Sequence, residues 1–128
     1  MAGKYGGLVL VLVSLLLLQG GVQLAAAAVW NVGDAKGWTF GVQSWPNNPS
    51  FKPFKEGDVL VFKYDASAHN VVAVDDFGFG TCTTHPANAK VYSSGNDRIT
   101  LTRGENNFIS GKAGDCEKGL KITVFVRP

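Results

Sequence analysis

Few side chains in these 128 residues are equipped for chemistry. There are two cysteines, Cys82 and Cys116, and two histidines, His69 and His85. The stretch Cys82-Thr83-Thr84-His85 has a CxxH spacing that a metal could use. One Cys and one His make a thin ligand set, and an oxidised Cys82 has no thiolate to offer. In an oxidising compartment an isolated cysteine pair reads instead as one disulfide. It would close a loop of about 34 residues and stabilise the fold by about 3–4 kcal/mol. His85 reads as a solvated loop side chain.

The compartment is read from the amino-terminal segment. Residues 1–28 carry one charge, Lys4, followed by an apolar run from Leu8 to Leu18 and the small residues Ala25 to Ala28. This is the layout of a secretory signal peptide. The run of about 11 residues is too short for a membrane span, which needs about 20. Ala25 and Ala27, small residues two apart, place the cut after Ala27 or Ala28. Without Lys4, 11 basic and 10 acidic side chains remain, a net charge of +1. No lipid-anchor signal is visible. The only Asn-x-Ser/Thr triplet, at Asn48, is blocked by Pro49. The expected product is residues 29–128, free, secreted and extracellular, with no stable membrane anchor.

That length suits one domain and excludes a two-domain cofactor enzyme. A pI near 8.6 with only 17% charged residues is mild basicity, without the dense Lys/Arg stripe that nucleic acid requires. The elements that must position any site read as strands. Val59 to Phe62, ending at Tyr64, and Val71 to Val74 are β-branched and aromatic runs. Lys90 to Tyr92, Arg98 to Leu101 and Asn107 to Ser110 are shorter candidates. Ile122, Val124 and Val126 alternate with Lys121, Thr123 and Phe125 at a period of two. Asp75 to Gly80 reads as a turn, as do Glu56 to Asp58. Gly37 to Pro53, with three prolines, reads as loop with at most one short helix. Strands every ten residues or so predict an all-β antiparallel sandwich or barrel. At least two of Trp30, Trp38 and Trp45 are expected in its core.

Five stretches carry a family resemblance. They are VWNVGDAKGWTF from Val29, SWP from Ser44, FKEGDVLVFKYDASAHNVVAV from Phe54, TCTTHPANAKVYSSGNDRITL from Thr81, and GDCEKGLKITV from Gly114. Over nearly all of residues 29–128 the chain resembles the phytocyanins, plant cupredoxins of the plantacyanin or basic blue protein group. The resemblance implies a Greek-key β-sandwich of about seven to eight strands and a Cys82–Cys116 disulfide. It also implies a blue copper site whose first imidazole is His69. The family's remaining ligands are a Cys, a His and a Met spaced by five, and these positions hold Ser110, Asp115 and Leu120. Cys116 follows Asp115 as the family's disulfide Cys follows its second His, which anchors the register.

A blue centre needs two imidazoles and a thiolate, with a weak axial donor. A serine hydroxyl, a carboxylate and an aliphatic chain do not supply them. The expected reading is therefore a vestigial site and no cofactor, with copper only as weakly held Cu(II). The geometry that the resemblance implies brings His69 and Asp115 together, so either a hydrogen bond between them closes the pocket or His69 stands exposed at the rim and faces water. The function expected is a non-redox extracellular binding or signalling module. Its partner would be a protein or cell-wall polymer met at the end carrying Asp75 to Gly80 and Gly111 to Asp115. The alternative is the family's electron transfer through copper. Ser110, His69 and Asp115 also invite a catalytic-triad reading, but no oxyanion hole is signalled and no enzyme is expected.

Overall fold

A computed structural model describes residues 26–128 of the chain. The leader expected over residues 1–28 lies almost wholly outside them. Seven strands occur among the described residues: β1 (Val29–Asn31), β2 (Val59–Lys63), β3 (Val71–Val74), β4 (Lys90–Tyr92), β5 (Asn96–Thr100), β6 (Gly104–Ile109) and β7 (Lys121–Val126). They form two sheets, ordered β1-β2-β5 and β4-β3-β6-β7. β1 runs parallel to β2 in register Val29 with Val59, and every other pairing is antiparallel. Two sheets face each other across the core, the sandwich that the resemblance implies.

The period of two places the core. Ile122, Val124 and Val126 of β7 are fully buried, while Phe125 between the last two is exposed. β5 alternates in the same way, with Asp97 and Ile99 inward. Leu60 and Phe62 of β2 meet this core from the other sheet, and the Phe62 ring packs edge-on against Trp38 and Phe108 at 5.1 Å each. Trp38 and Trp45 are buried, and Trp30 packs partly buried against Phe54. The expectation of two core tryptophans holds.

The second sheet is covered on both faces, because alternate residues of β3 and β6 point to opposite sides. Val71 and Phe108 join the main core, whereas Val72, Val74 and Ile109 form a second cluster with Cys116. That cluster is roofed by a short helix, α1 (Asp76–Thr81), where the sequence predicts a turn. Two glycines in six residues argue against helix, at about 1 kcal/mol each. Tertiary packing overrides them. The Asp75 carboxylate caps the helix by accepting the Gly78 N–H at 2.8 Å. A Cβ on Gly78 would come within 2.8 Å of the Thr83 and His85 carbonyl oxygens and of Val74, so only glycine fits the roof. The helix ends at Cys82, whose bond to Cys116 spans 5.6 Å between Cα atoms. The disulfide thus ties the α1 segment to the loop before β7. Residues 37–53 are loop with one 3-10 turn, Trp45–Asn47, as the prolines predict.

Candidate functional site

Each strand end delivers one member of the site. The turn after β2 carries Asp65, whose carbonyl accepts the His69 N–H at 3.0 Å and fixes the His69 backbone just before β3. Ser110 follows β6 directly, and its N–H donates to the Leu120 carbonyl at 3.0 Å. Asp115 stands in the tight loop between β6 and β7, where its carbonyl accepts the Leu120 N–H at 3.0 Å. The loop is therefore closed across its base before any side chain contributes.

Three of the four expected positions meet at one atom. The Ser110 hydroxyl donates to Asp115 Oδ2 at 2.7 Å, and His69 Nδ1 lies 2.7 Å from the same oxygen. A carboxylate oxygen that already accepts a hydroxyl proton accepts again, so the imidazole carries its proton on Nδ1. The carboxylate sits between hydroxyl and ring. The His69–Asp115 bond is present, and His69 is not turned out to solvent: its side chain is 12% exposed. Ser110 and Asp115 are both buried. Leu120, the fourth position, is fully buried in the main core, and its backbone N–H and carbonyl bond to Asp115 and Ser110.

Other residues shape the pocket without a signal in the sequence. The Phe40 ring stands edge-on to the His69 ring at 5.3 Å. Asn70 is locked from both ends. Its carbonyl accepts the Trp38 indole N–H at 2.8 Å, and its side-chain Oδ1 accepts the Gly111 N–H. The N–H groups of Asn70 and Lys112 both point at Ser110 Oγ, at 3.4 and 3.5 Å. These lengths exceed the 2.7–3.2 Å usual for N–H to oxygen. Position beside His69 is the one hint by which Asn70 could have been found.

The electrostatics around the site are local. Hydrogen bonds from the Ser67 hydroxyl and N–H hold the Asp65 carboxyl below its ordinary range, with the nearby His69 ring adding to the effect. On the other side of the disulfide, His85 is an exposed loop side chain, as the sequence predicts, and it also has a partner. Its Nδ1 lies 2.6 Å from Asp75 Oδ2, and its ring meets Phe77 edge-on. The Gly78 N–H and then His85 draw the Asp75 carboxyl below its usual value against the opposing effect of desolvation. Among the described residues no group of three or more His, Cys, Asp or Glu side chains is disposed to hold a metal.

The scaffold has known counterparts. A family model described as a plastocyanin-like domain matches residues 38–120. The basic blue protein of Cucumis sativus is 50% identical over 97 residues, covering 76% of this chain and 97% of that protein. The chain belongs to the phytocyanin family. This phytocyanin is also 50% identical over 102 residues to the chemocyanin of Lilium longiflorum, covering 80% of this chain and 78% of that one. Among solved structures, cucumber basic protein, titled a blue copper protein, superposes with a TM-score of 0.71 at 48% identity. That alignment covers 77% of this phytocyanin and 99% of the cucumber chain. Spinach plantacyanin gives a TM-score of 0.67 at 47% identity, covering 78% and 100%.

Proposed function

We propose that this phytocyanin is an exported, non-redox binding module whose copper site has been replaced by a hydrogen-bonded plug. One observation carries the reading: the Ser110 hydroxyl spends its proton on Asp115, and the same carboxylate oxygen engages His69. The donor set does not fit a blue centre. It offers one imidazole already bonded at Nδ1, a hydroxyl that stays protonated and a carboxylate, with an aliphatic Leu120 at the axial position. Hard oxygen donors hold Cu(II) weakly and do not stabilise Cu(I), so the two oxidation states are not matched in one geometry.

The same geometry speaks against hydrolysis. A triad needs the imidazole between serine and acid. Here the acid lies between the other two, and Ser110 donates away from the ring. We read the chain as no enzyme. The apolar leader, the alanine cluster and the disulfide favour export, and the mild charge favours neither nucleic acid nor a membrane surface. No helix among the described residues is long and apolar enough to cross a membrane. The partner class is an extracellular protein or a cell-wall polymer. It would be met where the disulfide joins the α1 segment to the Gly111 to Asp115 loop, with Phe40 and Phe77 exposed there or nearby in sequence.

The second reading, copper electron transfer, is favoured by its relatives, among them a basic blue protein and a blue copper protein. Colour separates the two. Purified secreted protein given Cu(II) develops no intense visible band under the proposal. A stoichiometric, reversibly reducible blue adduct of the unaltered protein overturns it. The variant S110C/D115H/L120M gains the blue band, because it supplies the thiolate, second imidazole and axial thioether of a blue centre, and the long Asn70 and Lys112 N–H contacts at Ser110 leave room for a sulfur acceptor.

A further inference from the structure

The best-buried carboxylate of the described residues is Asp58, at 0% exposure. Its Oδ1 accepts the Ala28 N–H at 2.9 Å, and its Oδ2 accepts the Trp30 indole N–H at 3.0 Å and the Lys55 N–H at 2.9 Å. All three donors are neutral. The ion pairs among the described residues join His69 with Asp115, His85 with Asp75 and Arg103 with Glu56, and none includes Asp58. A buried charge without a counter-ion at contact distance is costly.

The leader reading leaves two cuts open. Small residues at Ala25 and Ala27 fit a cut before Ala28, and those at Ala26 and Ala28 fit a cut before Val29. The fold discriminates between them. Ala28 uses both its backbone groups: the N–H reaches Asp58, and the carbonyl accepts the Val59 N–H at 2.9 Å, which extends the β1–β2 pairing by one residue. Ala26 and Ala27 are exposed. A cut before Val29 would strip Asp58 of a donor and β2 of an acceptor.

We infer that the mature chain begins at Ala28 and that its new α-ammonium is the counter-ion of Asp58. An exported peptidase specific for small residues hydrolyses the Ala27–Ala28 bond. Water supplies a hydroxyl to the Ala27 carbonyl and a hydrogen to the Ala28 nitrogen, which takes up a proton from solvent. A neutral donor already in contact with the buried carboxylate thereby becomes a cation. Processing completes the fold at the root of β1 and does not merely trim a tail.

This inference rests on the export reading, and one experiment tells their failures apart. The full chain is expressed in plant cells and the protein in the medium is measured by intact mass and amino-terminal sequencing. A first residue of Ala28 supports the inference. Export with Val29 or any other first residue overturns it and leaves export standing, whereas retention of an uncut chain overturns both. The counter-ion is tested on the mature chain by comparing free Ala28 with a semisynthetic Nα-acetyl form, which keeps an N–H donor but no charge. Acetylation should lower the folding equilibrium constant about tenfold, and about twofold or less in D58N. Equal loss in both backgrounds, or no loss with Asp58 intact, refutes the pairing; the acetyl comparison on the unaltered sequence stands even if D58N does not fold.

Discussion

Two buried carboxylates, at different strand ends of the sandwich, take opposite kinds of partner. Asp58 is saturated by two main-chain N–H groups and one indole that packs against Phe54. Asp115 is engaged by two side chains, a hydroxyl and an imidazole, on a single oxygen. The first arrangement is part of the backbone itself: it joins the approach to β1, the turn before β2 and a core-packed tryptophan. The second is an assembly of side chains brought together from separate elements. Burial of an acid is therefore no guide to function by itself. The nature of the donors is, because main-chain donors have nowhere else to go, while side chains can be exchanged with the strands left in place.

Truncation is the most direct way to break that comparison. Asp58→Ala abandons three fixed donors in a site closed to water, and should cost about 3 kcal/mol of stability in chemical denaturation. A loss below that of Asp115→Ala would reverse the contrast. Acid gives the next largest effect. Burial alone would raise the Asp58 carboxyl, but the bonds from Trp30, Lys55 and Ala28, with the Lys55 charge, outweigh it and hold the group below its ordinary value. A depressed folded-state pKa favours the ionised form. Its contribution is thus complete above the unfolded value of about 3.9 and fades as pH falls through the lower folded value. Asp58→Asn should flatten this acid limb of a stability–pH curve.

Asp115→Ala should cost less, about 1.5 kcal/mol. The Ser110 hydroxyl can rotate and the slightly exposed His69 ring can find water, as fixed amides cannot. Nuclear magnetic resonance should then show the His69 ring with faster proton exchange and the strands unchanged. A third carboxylate sharpens the scale. Asp97 accepts the Tyr64 and Ser94 hydroxyls. Burial first, and then the Asp97 carboxylate, push the Tyr64 hydroxyl up to about 12. Because the neutral phenol is favoured in the fold, its contribution is complete below pH 10 and is lost as pH rises from about 10 towards 12. Tyr64→Phe should cost about 1 kcal/mol or less at neutral pH, and should remove that alkaline loss.

Much of the frame was legible in the residues. β3 and β4 appear where the β-branched runs predict them, β7 begins within a residue of its forecast, and the inward residues of β7 are those its period selects. The segment from Asp75 was misread as a turn, because its glycines mark a break in any local account. Its helical state depends on the Asp75 cap and on Gly78 fitting beneath the carbonyls of Thr83 and His85. β1 was not singled out as a strand, since three residues with only partial burial give no period to read; its register comes from β2. Asp58 was legible only as a turn residue, because two of its partners lie 28 and 30 positions away.

The family resemblance chose the sandwich; from the residues alone came an antiparallel sandwich or barrel, the pairing of the two cysteines and the absence of a free thiol. Each rests on composition, count or a short-range period, and these are properties that a linear chain carries unfolded. Only the tertiary structure decided that Asp115 stands between Ser110 and His69, that His85 is held by Asp75, and that Ala28 touches a buried acid. The His69–Asp115 contact joins groups 46 positions apart. Its geometry follows from strand register and loop closure, and no neighbouring residue in the chain encodes it.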